Sequence, residues 1–162
     1  MNDAGRWLIA EGIADAGRIG ILGWSYGGYV GLQSQVTDPE LYRAVVAIAP
    51  VTDLEDLRDQ ARRYTSYTLV SRFVGDGPHI AAGSPARHAN SFQAPTLLFH
   101  GTSDLNVSVR QSRRMVARLE AASREVTYRE FEGLDHSLDS AEARAEMLTT
   151  IGHFLDEKLQ QE

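Results

Sequence analysis

At 162 residues the chain is long enough to bury one hydrophobic core and too short for two domains of ordinary size. Hydrophobic residues make up 43% and charged residues 23%, which excludes a predominantly disordered chain, and the formal net charge of −6 argues against nucleic acid or an anionic membrane as partner. There is no cysteine, which excludes disulfides, thiolate metal ligands and a cysteine nucleophile.

In chain order, Asn2 to Glu11 reads as a helix. Its start, Met1-Asn2-Asp3-Ala4, has neither the basic nor the apolar region of a secretory signal, so a cytoplasmic location is expected. No apolar run approaches the roughly 18 residues that cross a bilayer, so no membrane partner is expected. Arg18–Trp24 reads as a strand and Tyr26–Val36 as a helix. Arg43–Ala49 is a second strand. The stretch from Val51 to Ala94 breaks this rhythm, with short helices near Leu54–Ala61 and Tyr64–Val74 followed by Gly/Pro-punctuated loop. Such an excursion either shapes a substrate pocket or is a surface loop without function.

Thr96–His100 is a third strand, Val107–Ala121 a helix and Val126–Phe131 a fourth strand. Three of the four strands are nearly continuous apolar runs, as in parallel sheets covered on both faces. Arg110, Arg113, Arg114 and Arg118 fall within one helix and read as its solvated face. In the last helix Met147, Leu148, Ile151, Phe154 and Leu155 form an apolar stripe, with Asp139 and Glu142 resembling a capping box at its start. Alternating strands and helices predict one α/β domain over 1–162, with a mainly parallel sheet of about four strands and helices on both faces.

Gly23-Trp24-Ser25-Tyr26-Gly27 matches G-x-S-x-G. By average glycine and serine usage a chain this long meets that pattern by chance about 5% of the time. Its position sharpens it, because it closes an apolar strand and opens a helix. A serine there must hold a strained backbone to project its Oγ, and side chains at Gly23 or Gly27 are expected to collide with the adjoining strand and helix.

A serine hydroxyl needs a base to take its proton, and the base needs an orienting acid. In this strand–turn–helix arrangement they follow in the order Ser, acid, His, beyond the carboxyl ends of later strands. Asp104 lies just after the third strand and His136 just after the fourth. Taken alone, Asp104 reads first as a cap for the helix that starts near Val107. Asp135 adjoins His136, and consecutive side chains diverge. His100 falls at a strand end, where a structural hydrogen bond is expected; His79 and His88 lie in the excursion, and His153 in the last helix. No metal-ligand spacing, P-loop or G-x-G-x-x-G is present, so no cofactor or metal is expected.

Gly23–Val30 (GWSYGGYV), Ala49–Thr52, Ser84–Ala89 (SPARHA), Ala94–Val107 (APTLLFHGTSDLNV) and the loop ending at His136 together resemble the prolyl oligopeptidase / dipeptidyl peptidase family over nearly the whole chain. The resemblance implies a partial α/β-hydrolase fold with Ser25 as nucleophile, Asp104 as acid and His136 as base. It implies the Tyr26 N–H as an oxyanion donor. It also places Tyr26, Val51, Leu54, Leu57 and Val107 at positions that line the first specificity pocket. Leu54 and Leu57 stand where the family often has aromatic residues, which argues against a proline preference. Ser137 follows His136 where many members have glycine.

Members usually carry a β-propeller and several sheet strands ahead of the nucleophile strand, and a tyrosine from that upstream part is their second oxyanion donor. The sequence has only one helix there. It therefore predicts self-association through the uncovered strand edge, or residence in a longer polypeptide. The expected activity is acyl transfer on peptides, falling as pH drops through a histidine's titration. The alternatives are a carboxylesterase on short acyl esters and a non-catalytic fragment of a longer hydrolase.

Overall fold

The computed structural model describes residues 1–160. Its four strands are β1 (Gly20–Trp24), β2 (Ala44–Ile48), β3 (Thr96–Gly101) and β4 (Val126–Phe131). They form one sheet in the order β1-β2-β3-β4, every pair parallel. In register, Ile21 lies beside Val45, Val46 beside Leu97, and Leu98 beside Tyr128. Parallel neighbours need crossovers, which the helices supply. These are α2 (Tyr26–Thr37) between β1 and β2, α6 (Arg110–Ala121) between β3 and β4, and the excursion between β2 and β3. Helix α1 (Asn2–Ala10) precedes the sheet and α7 (Ala141–Gln160) follows it. The expected α/β architecture is the one found.

Every residue of β2 and β3 is buried, while β1 and β4, the outer strands, alternate. One sheet face presents Ile21, Val45, Ala47 and Leu98 to Leu32 of α2 and to Met115 and Leu119 of α6. The other presents Val46, Ile48, Leu97 and Phe99 to Met147, Ile151 and Phe154 of α7. Each such side chain contributes about 1.5–3 kcal/mol on leaving water. Two covered faces are why the interior strands read as unbroken apolar runs. The outer face of β1 is the exception, with Leu22 51% exposed.

The excursion holds α3 (Leu54–Ala61), α4 (Tyr67–Val74), a four-residue α5 (His79–Ala82) and two 3-10 turns, Pro85–Arg87 and Ala89–Ser91. Two buried glutamines clamp its ends. Gln111 of α6 accepts from the Thr52 and Asp53 amides, both at 2.8 Å, and donates to the Asp53 carbonyl at 3.1 Å. Gln35 of α2 accepts from the Gln93 and Ala94 amides at 3.3 and 3.2 Å.

Three local expectations are corrected. Helix α7 is capped by Ser140, whose Oγ accepts from the Ala143 amide at 3.2 Å, so Glu142 sits one position too early for a capping box and Asp139 lies outside the helix. Helix α6 begins at Arg110, not Val107, because the Val107 amide and carbonyl are already engaged by Asp104 and His100. The arginine face of α6 is paired as well as solvated. Arg113 binds Glu130 bidentately at 2.7 Å, Arg114 reaches Asp53 and Asp56, and Arg110 reaches Asp56.

Candidate active site

Ser25 occupies the single residue between β1 and α2, with φ 56° and ψ −118°. A non-glycine residue held at positive φ is strained, and here its amide is fixed to the Ile48 carbonyl of β2 at 2.7 Å. The sharp turn folds α2 back onto β1. A Cβ at Gly23 would overlap the Gly27 carbonyl group, and one at Gly28 would lie 3.0 Å from Pro50. At Gly27 a Cβ would meet open space. The expectation of a collision at Gly27 is therefore wrong; the second tight approach belongs to Gly28, where α2 crosses the end of β2.

His136 and Asp104 come from the loops after β4 and β3. Ser25 Oγ lies 2.9 Å from His136 Nε2, and His136 Nδ1 lies 2.6 Å from Asp104 Oδ2. Three side chains from three separate strand ends thus form one hydrogen-bonded line. It runs from partly exposed Ser25 through His136, 19% exposed at its side chain, to Asp104, fully buried at its side chain. Asp104 also ties down its own loop, with Oδ1 accepting from the Asn106 and Val107 amides at 2.8 and 2.9 Å. It does not cap α6, which starts at Arg110 with Val109 at its N-cap, so the reading of Asp104 as a helix cap is corrected. Burial pushes the Asp104 carboxyl up. Hydrogen bonds from His100, the Val107 amide and His136 outweigh it and hold the group below the usual carboxylate value. The acid is therefore an anion beside the imidazole.

The two loops are laced to each other. Thr102 N donates to the Phe131 carbonyl at 3.0 Å, Ser103 N to the Leu134 carbonyl at 2.9 Å, and Gly133 N to Thr102 Oγ1 at 2.8 Å. The approach is so close that a Cβ at Gly101 would overlap Leu134 O and lie 2.6 Å from Asp135 O. Trp24 Nε1 donates to the His136 carbonyl at 3.1 Å, tying the His136 loop to the strand that ends before Ser25. Sequence reasoning missed Trp24, Gly28 and Gly101. Trp24 lies inside G-x-S-x-G, Gly28 just after it and Gly101 at the end of the third strand, but the partners that explain them lie up to 112 residues away. As expected, Asp135 turns away, accepting from Ser137 N at 2.9 Å.

As the first residue of α2, Tyr26 has an amide without an intrahelical partner, at the positive end of the helix dipole. The residue is 61% exposed, and its ring packs on Tyr29 and Phe73 at 5.6 and 6.5 Å between centroids. Val51 and Val107 are buried, and Leu54 and Leu57 are half-buried on α3. Beside the acid loop lies a cleft of about 460 Å³ between α3, α4 and Leu105; of the five pocket residues inferred from the sequence, Leu57 alone lines it. Leu69, Phe73 and Leu105 are each more than two-thirds exposed nearby. Among the described residues no cluster of His, Asp and Glu is placed to hold a metal ion, and no helix is long and apolar enough to cross a membrane.

The model of the prolyl oligopeptidase family matches residues 2–162. The chain is 30% identical over 160 residues to dipeptidyl peptidase 4 of Bos taurus, covering 94% of this chain and 20% of that protein. It is 29% identical over 157 residues to prolyl endopeptidase FAP of Mus musculus, covering 93% and 20%. Among solved structures, a puromycin-hydrolyzing peptidase of Mycobacterium tuberculosis superposes with a TM-score of 0.86 at 28% identity, over 98% of this chain and 24% of that one. The chain spans about a fifth of the length of the curated relatives it matches.

Proposed function

The chain belongs to the prolyl oligopeptidase family of serine peptidases, and from that premise we propose that it carries the acyl-transfer chemistry of a peptidase through Ser25, His136 and Asp104. One observation supports this above the rest, the unbroken line from Ser25 Oγ through His136 to Asp104 at 2.9 and 2.6 Å. In the proposed cycle His136 Nε2 takes the hydroxyl proton as Oγ attacks the substrate carbonyl. The amide of Tyr26 donates to the oxyanion that forms. The imidazolium returns its proton to the leaving amine, the C–N bond breaks, and an acyl ester on Ser25 remains. Water, deprotonated by the same nitrogen, then cleaves that ester and frees the serine. Asp104 stays ionised throughout and holds the imidazole with Nε2 turned towards Ser25.

A fluorophosphonate with mass spectrometry of the adduct tests this. Stoichiometric labelling at Ser25, abolished in His136→Ala, is the expected result. Folded protein that stays unlabelled sinks the reading. A second reading, an esterase on short acyl groups, is favoured by the open cleft that Leu57, Val70 and Leu105 line together with Gln60, Tyr64 and Asn106. Turnover of a nitrophenyl ester with none of an aminoacyl anilide would select it.

The half-exposed Leu22 and the outer position of β1 support a further proposal, that this edge is covered by another strand or by a second copy of the chain. Sedimentation of the purified chain as a stable monomer would remove the second copy.

A further inference from the structure

We infer that His100 is a positioning residue for Asp104, itself held in orientation by Ser112; the inference rests on the catalytic reading of Ser25, His136 and Asp104. His100 lies near the end of the interior strand β3 and has no exposed surface. Its Nε2 lies 2.9 Å from the Val107 carbonyl and 3.2 Å from Asp104 Oδ2. Both neighbours only accept, so this nitrogen carries a proton and donates to them. Its Nδ1 lies 2.7 Å from Ser112 Oγ, and in the neutral ring it accepts the hydroxyl proton. Ser112, fully buried in the first turn of α6, therefore donates to the nitrogen those acceptors leave bare and holds the ring with Nε2 towards the acid.

Asp104 thus has four donors. The Asn106 and Val107 amides bind Oδ1, and the two imidazoles share Oδ2. A buried carboxylate stays charged only when its oxygens are engaged. Three of the four donors come from β3 and the acid's own loop, so the plane of the carboxylate is fixed independently of His136. That leaves one lobe of Oδ2 aimed at His136 Nδ1. Val107 closes the device, because its amide holds Oδ1 while its carbonyl holds His100. A buried imidazole needs partners on both nitrogens whatever its role; what goes beyond packing is that one partner is the carboxylate oxygen that also holds His136.

The test uses the whole chain, with His100→Leu, His100→Gln and Ser112→Ala assayed for kcat and KM on an activated ester and examined by NMR of the histidine ring nitrogens. His100→Leu is expected to lower kcat about tenfold with KM nearly unchanged, the equivalent of one hydrogen bond to a charged group. His100→Gln restores an N–H donor and should recover most of that loss. Ser112→Ala removes only a hydroxyl, so its fold is safe even if His100→Leu fails to fold. It should lower kcat about threefold and broaden the His136 Nδ1–H resonance. Folded variants with unchanged kcat and an unchanged His136 Nδ1–H resonance overturn the inference, as does a loss of kcat in His100→Gln equal to that in His100→Leu. A wild-type chain that neither labels nor turns over sinks the catalytic reading instead, and the NMR comparison of wild type with Ser112→Ala still decides the role of His100.

Discussion

The loops after β3 and β4 and the excursion after β2 lie at the same end of the sheet, yet they are held in opposite ways. The acid and base loops are joined backbone to backbone, through Thr102, Ser103 and Gly133, with a glycine where the chains meet. The excursion is pinned at its two ends by Gln111 and Gln35. Between them it is held mainly through side chains, with Ala86, Ala89 and Phe92 in the core, Ser84 on the Leu54 amide, and ion pairs such as Arg87 with Asp53 and Glu55. It also leaves Leu69 and Phe73 in water. Positional accuracy is concentrated where protons would move, and adaptable surface where substrates would differ.

The largest expected break in this contrast is Asp104→Asn. It keeps the shape of the acid but loses its charge and the tautomer it imposes, so kcat should fall about 10⁴-fold. Because the new amide nitrogen faces a donor, stability should also fall by about 1–3 kcal/mol. Retention of more than a tenth of the activity would remove Asp104 from the mechanism. Next is Gly101→Ala, which forces a methyl group into the Leu134 carbonyl and should cost about 3 kcal/mol or more in urea unfolding. Gly27→Ala, by comparison, meets open space and should change stability by less than about 1 kcal/mol. Equal effects at the two glycines would contradict the close approach of the acid and base loops.

Acid is the third lever. The carboxyls of Asp104 and Asp53 are both buried and both held below their ordinary value, Asp53 because hydrogen bonds from Arg87 and the Asp56 amide outweigh the upward push of burial. A folded pKa below the unfolded one contributes stability that is present above about pH 4 and lost as pH falls through the folded value. Chemical denaturation at stepped pH should therefore show stability falling below that point, less steeply in Asp53→Asn. The smallest effect belongs to the exposed apolar residues. Phe73→Ser should leave stability within about 0.5 kcal/mol and alter KM for bulky substrates more than for small ones. Equal KM changes for both would detach α4 from the substrate site.

Much of this was legible in the sequence, for reasons specific to each part. β2 and β3 are buried on both sides and read as apolar runs; Ser25, Asp104 and His136 each follow a strand in the required order. What stayed hidden depends on contacts across the chain. Nothing local to His100 distinguishes a strand-end hydrogen bond from a hold on Asp104 until Ser112 and Val107 are placed around it. Gly27 was singled out over Gly28 because the motif names it, whereas the tight approach is set by where Pro50 lies. The pocket residues carried over by resemblance scatter between buried walls and a half-buried helix, since a pocket is a property of the excursion's path and not of spacing.

The strand order has a kinetic corollary. Ser25 and His136 meet across 111 residues, and although each strand pairs with its neighbour in the chain, their contact requires all four strands to be in place. Contacts of such long range form late and slowly. Reactivity at Ser25 should thus appear only with the final docking of the β4 segment, so an irreversible probe added during refolding would time completion of the whole sheet, and partly assembled chains would be chemically silent.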